Sequence, residues 1–289
     1  MFNVFRVQDR LQQYAALMRI DRPIGTFLLL WPTLWAVWVA GQGRPDPHVL
    51  LVFIAGVFVM RSAGCVINDF ADRGIDPRVE RTRDRPIAAG RVAPLEALAV
   101  FVALCLIGLG LVATLKPAVM GLAAVGVALA AVYPFLKRVT HLPQLWLGLA
   151  FSWGIPMAFA AHSGRVPAIA WWLVAANTCW AVAYDTIYAM VDRADDVKAG
   201  VKSTAILLGR YDRAGIALVQ ILTLGLLVAA GLHLDRNGYY FSGLALAGLL
   251  MVYQQLLIRD RNPRACFAAF LNNSWVGASV FVALVLSYL

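Results

Sequence analysis

Two short stretches hold most of the side chains able to do chemistry. Asn68, Asp69, Asp72 and Asp76 fall in the run NDFADRGID, and Asp185, Tyr188, Asp192, Asp195 and Asp196 fall in DTIYAMVDRADD. Of the 16 acidic residues in the chain, seven are in these two runs. At about 100° per residue, Asp185, Tyr188, Asp192 and Asp196 share one face of a helix. Arg61, Cys65, Asn68 and Asp72 share another, which Asp76 joins only if the helix continues through Gly74. Carboxylates this close repel one another and call for a cation. Oxygen-only ligands suit Mg²⁺, which keeps several waters and bridges one or two carboxylates to substrate phosphates. Two facing clusters can therefore hold a diphosphate between metal ions that neutralise its charge as it leaves. A single cluster is as readily an ordinary charged loop, but two at equivalent helix ends beside intramembrane carboxylates are poorly explained that way.

The elements that must position these residues are membrane spans. Of the 289 residues, 61% are hydrophobic and 14% charged, whereas soluble domains carry about 25% charged residues. Mean hydropathy is +0.71. Long uncharged runs predict nine spans, at 24–41, 48–67, 94–114, 117–136, 143–161, 167–190, 214–234, 238–257 and 266–288. Each is close to the roughly 20 residues that a spanning helix needs. Together they fill the chain, so the expected architecture is all-α: a polytopic membrane bundle in a single domain over 1–289. The period-2 alternation of a transmembrane barrel is missing.

Charge tests the count. With nine spans, 21 of the 25 basic residues fall on the side of the N-terminal segment, leaving Arg44, Lys116, Arg165 and Arg236 on the other. Arg6, Arg61 and Arg78 are counted with the larger group. The positive-inside rule puts that face, and the N-terminus, in the cytoplasm. Four spans separate the acidic runs, so both open to the cytoplasmic side. The net charge of +9 is thereby a membrane-face signature, with no nucleic-acid partner implied. Cys65, Cys105, Cys179 and Cys266 form no CxxC pair and the four histidines are isolated, which predicts neither disulfide nor zinc chemistry. The N-terminal segment lacks the pattern of a removable signal peptide.

NDxxDxxxD after the second span and DxxxD (Asp192 to Asp196) after the sixth resemble the two acidic motifs of the UbiA family of intramembrane aromatic prenyltransferases. The resemblance runs along almost the whole chain, through RIDRPIGTFLLLWPTLWAVW (19–38), RTRDRPIAAGRV (81–92), WGIPMAF (153–159) and FLNNSWVG (270–277). The stretches YPFLKRVTHLPQ (133–144) and YDTIYAMVDR (184–193) are similar to its 4-hydroxybenzoate branch. That resemblance implies a nine-helix bundle around a central cavity open sideways to lipid. It implies Mg²⁺-assisted ionisation of a polyprenyl diphosphate and alkylation of 4-hydroxybenzoate ortho to its hydroxyl, in ubiquinone synthesis at a bacterial inner membrane. Asn68, Asp72, Asp76, Asp192 and Asp196 would hold the metal–diphosphate unit, with Asp69, Asp185 and Asp195 behind them or acting as bases. Arg138, beside Lys137, is a candidate anion contact, and Arg22 and Arg61 are weaker ones. Lys198 and Lys202 would cover the leaving diphosphate, and the Tyr188 ring face would stabilise the allylic cation. One alternative is a related enzyme with another acceptor. Another is a transporter using the same carboxylates, although transporters usually carry such charges near the midplane of broken helices. Prenyl chain length and oligomeric state have no signature in the sequence.

Overall fold

Proline and side-chain caps set where the helices begin. In the computed structural model, Asp46 accepts from the amides of His48 (2.8 Å) and Val49 (3.2 Å). Asn262 does the same for Arg264 (3.0 Å) and Ala265 (3.3 Å), and a proline follows each cap. Such caps satisfy amides that have no partner within the helix. The structure describes residues 2–289 and, of residues 2–8 and Arg78, the backbone alone. Arg6 and Arg78, counted above with the basic face, thus lie outside the described side chains.

Every regular element among the described residues is helical. The order is α1 (Phe2–Leu17), α2 (Ile24–Ala40), α3 (Pro47–Asp72), α4 (Pro94–Ala113), α5 (Pro117–Val139), α6 (Pro143–Ser152) and α7 (Gly154–Ser163). It continues with α8 (Ala168–Ala199), α9 (Thr204–Leu208), α10 (Asp212–His233), α11 (Gly238–Leu257) and α12 (Pro263–Leu286). Seven helical stretches are long and apolar enough to cross a membrane, α6 with α7 and α9 with α10 each counting as one. With the shorter apolar α2, and the 32-residue α8 that is not among those seven, the described helices approximately match the nine crossings expected from sequence.

Three boundaries differ clearly from expectation, the first being that the span expected at 48–67 continues to Asp72 as α3. The crossing expected at 143–161 is broken at Trp153. Pro156 has no N–H to give the carbonyl four residues back, so the ladder lapses there. The 32 residues of α8 exceed the expected span, and its last turns stand clear of the apolar stretch, ending at Gly200 with φ +70°. A glycine adopts that left-handed backbone without strain.

Helix α8 is the centre of the bundle. Trp180 stacks on Trp35 of α2 (centroids 5.4 Å apart, 25° between planes) and meets Tyr184 edge-on. Both indoles are buried with their N–H groups used, Trp180 donating to Asn273 Oδ1 (2.9 Å) and Trp35 to the Gly277 carbonyl (3.1 Å). In an apolar surrounding an unpaired N–H would be costly, so these bonds fix α2, α8 and α12 together. At one end of the bundle, Lys116 donates to the His162 carbonyl and Arg236 lies 4.0 Å over the Tyr288 ring. The other end carries both acidic runs.

Candidate active site

Three helices finish around one cavity of about 1450 Å³. From α3 come Arg61, Cys65, Asn68 and Asp72, the stripe expected from their spacing. The helix stops at Asp72, so Asp76 does not extend the stripe; it reaches the wall from a short 3₁₀ turn, Asp76–Arg78. Across the cavity α8 presents Asp185, Tyr188, Asp192 and Asp196. The end of α5 contributes Tyr133 and Lys137, and Arg22 and Lys202 also line the space. Away from this polar mouth the walls turn apolar, with Val52, Phe53, Leu109, Met120 and Met157.

The segment between α3 and α4 folds over the mouth and joins the two acidic runs. Arg81 grips Asp192 through two parallel bonds, Nε to Oδ1 at 2.8 Å and Nη2 to Oδ2 at 2.6 Å. This fork matches a carboxylate in a way lysine cannot. Arg85 Nη1 lies 2.9 Å from Asp76 and 3.0 Å from Asp69, which Arg19 also contacts. Lys137 pairs with Asp72. Burial opposes the Arg81 charge, yet its bond to Asp192 and the neighbouring anions outweigh that and raise its proton affinity above the ordinary value. Burial pushes the Asp76 carboxyl above the usual aspartate range, with Arg85 opposing. The Tyr188 ring, expected to face a substrate cation, has the Arg81 guanidinium 4.9 Å above it and Phe270 4.5 Å away.

These donors fit a divalent ion of a particular kind. Among the described residues, no three His, Cys, Asp or Glu side chains come together as a metal cage. Asp72 Oδ1 is nevertheless buried with no hydrogen-bond partner, and Asp196 lines the cavity with no ion-pair partner among the described residues. Two oxygen-bearing walls with free acceptors suit an ion that takes one or two carboxylates and completes its shell with water and phosphate oxygens, which is the habit of Mg²⁺.

Four of the expected residues do not line the cavity. Asp69 is buried behind it, held by Arg19 and Arg85. Arg138 turns away and donates to the Ala71 carbonyl (2.6 Å), tying α5 to α3. Asp195 and Lys198 pair with each other at 3.4 Å on the outer side of α8. Conversely, Arg19, Arg81, Arg85 and Tyr133 line the cavity without having been singled out. For Arg81 and Arg85 a signal existed: a basic run directly after an acidic motif, read above as membrane-face charge.

The model of the UbiA prenyltransferase family matches residues 29–284. The chain belongs to the UbiA prenyltransferase family. Among curated relatives of this UbiA member, the 4-hydroxybenzoate octaprenyltransferase of Methylococcus capsulatus is 57% identical over 283 residues, 98% of this chain and 97% of the relative. Among solved structures, a UbiA homologue from Aeropyrum pernix in its apo form aligns with TM-score 0.80 at 25% identity, over 90% of this chain and 98% of that one. A homologue from Archaeoglobus fulgidus bound to GPP and Mg²⁺ shares the fold at TM-score 0.69 and 16% identity, over 94% and 99% of the two chains.

Proposed function

We propose that this protein transfers a polyprenyl group from its diphosphate to the 3-position of 4-hydroxybenzoate, the ring-alkylation step of ubiquinone synthesis. The reaction takes place at the cytoplasmic face of a bacterial inner membrane, with the N-terminus on that side. The reading rests on one observation above all: the chain is 57% identical, over nearly its whole length, to a 4-hydroxybenzoate octaprenyltransferase. The meeting of both acidic motifs at the mouth of one largely apolar cavity supports it.

Asn68, Asp72, Asp76, Asp192 and Asp196 would hold Mg²⁺, which supplies charge neutralisation for the departing diphosphate. Lys137, Arg81, Arg85 and Lys202 bind the phosphate oxygens. The cavity volume of about 1450 Å³ exceeds the roughly 300–1,000 Å³ of ordinary small-molecule sites and accommodates a long chain. Its apolar walls exclude water that would otherwise capture the allylic cation. Tyr188 and Phe270, packed against each other with centroids 4.5 Å apart, form one aromatic wall beside that cation. Arg61, further along α3, pairs with the benzoate carboxylate. As the new C–C bond forms, the ring proton leaves to Asp185.

The test is an assay on membranes with labelled 4-hydroxybenzoate, a polyprenyl diphosphate, and either Mg²⁺ or EDTA. Prenylated 4-hydroxybenzoate should form only with the metal. Product in EDTA overturns the metal assignment. Turnover of a naphthoate in preference to 4-hydroxybenzoate overturns the acceptor.

A further inference from the structure

Asp212 opens α10 outside the cavity, yet its side chain is fully buried and takes charged donors from two sides. From one side comes Arg193 of α8. From the other comes Arg261, between α11 and α12, with Nε 2.9 Å from Oδ2 and Nη2 2.8 Å from Oδ1. Arg261 also donates to the Arg210 carbonyl (2.9 Å), and its backbone sits at φ +53°, which residues other than glycine rarely adopt. A carboxylate with two guanidinium partners is a fixed point between three chain segments.

What it fixes follows from the position of Arg193, which adjoins Asp192 in sequence. The turns of α8 bearing Asp192 and Asp196 extend beyond the apolar part of the helix. Helix ends without tertiary support open readily. On the cavity side, Asp192 is held by Arg81, but Arg81 is itself a phosphate contact in the function proposed above. It cannot orient Asp192 and also follow a substrate that arrives and leaves. The Arg193–Asp212 bond lies behind the same turn and touches neither substrate nor cavity. Groups that orient a metal ligand from behind typically change metal affinity about 10–100-fold when removed.

We propose that Asp212 is a positioning residue for the second acidic motif. Through Arg193 it holds the last turns of α8 so that Asp192 and Asp196 face the metal–diphosphate site while Arg81 exchanges partners. This rests on the reading that Asp192 is a metal ligand, and the test separates the two claims.

Protein reconstituted in lipid nanodiscs with inorganic pyrophosphate is titrated with Mn²⁺, and free Mn²⁺ is read by its EPR signal, with no turnover required. Arg193→Met and Arg261→Met form a matched pair: each removes one of the two cations on Asp212, but only the first cuts the tie to α8. Arg193→Met and Asp212→Asn should weaken Mn²⁺ binding by about tenfold, and Arg261→Met should leave it near wild type. Wild-type affinity in Arg193→Met overturns the proposal. An equal loss in Arg261→Met also overturns it, since general loosening would then account for the effect. If Asp212→Asn does not fold, the matched pair decides alone. Asp192→Asn is the control: if it binds Mn²⁺ like wild type, the metal reading fails and the positioning role falls with it.

Discussion

Each acidic side chain at the cavity mouth has a distinct environment, and so a distinct consequence when removed. Asp72 and Asp192 line the cavity from facing helices, each paired with a cation. Replacing either with alanine should abolish prenyl transfer while the protein still inserts, as measured by product formation beside the amount of folded protein in the membrane. Asp69 behaves differently. Its side chain is 1% exposed, and it faces Arg19 and Arg85 rather than the cavity. Removing one partner of a buried ion pair costs about 3–5 kcal/mol, because the other charge is stranded. Asp69→Asn should therefore lower thermal stability by more than any effect on the chemistry of surviving molecules, read as a fall in Tm against kcat per folded protein. The spacing of Asn68 and Asp72 revealed one shared helix face, but could not say that Asp69 looks into a nest of arginines. That nest is built by Arg19 and Arg85, which come from loops, and no periodicity describes a loop. Arg138 shows the same gap: sequence fixed neither which of two adjacent cations would face the cavity nor that Lys137 is the one that does.

At the scale of elements, the sequence was readable where composition decides and opaque where packing does. Most of the long apolar helices needed only their apolar runs; the break at Trp153 needed the combination of Pro156 with neighbours that accept a broken helix. One of those neighbours is Thr33, whose Oγ1 lies 3.0 Å from the position of a Cβ at Gly154. Close approach matters more at Gly277 of α12. A Cβ there would fall 2.4 Å from Trp31 Cδ1 and 2.8 Å from Trp180 Cη2. Indole rings wedged between helices have no flexible end to move aside. Gly277→Ala should thus cost about 1–3 kcal/mol, the usual range for an overpacked core, visible as a lower Tm with the metal dependence unchanged. The α2–α8–α12 junction carries the tryptophan stack, so the loss should appear as early separation of those three helices in hydrogen exchange.

For the molecule as a whole, three of the acidic charges at the mouth are balanced from within. Asp72, Asp76 and Asp192 each meet a lysine or arginine of the same chain, so the fold should not depend on an added ion. Chelation should stop the reaction and leave Tm within a degree or so, unlike small zinc domains, which unfold when stripped. The charge asymmetry gives a second test. A cysteine replacing Arg165 should react from outside the cell with a membrane-impermeant thiol reagent, and one replacing Arg83 should not; the reverse pattern would invert the topology. Finally, α4 and α5 stand apart from the rest. Only 11% of the apolar window of each is buried in the protein, against 33% or 44% in the other long crossings. Leu109 and Met120 line the cavity and are also exposed, at 51% and 39%. Along that flank little protein backs the cavity wall, so bilayer lipid should complete it. Delipidation should therefore slow turnover before helix content falls, and the rate should vary with detergent chain length while circular dichroism stays constant.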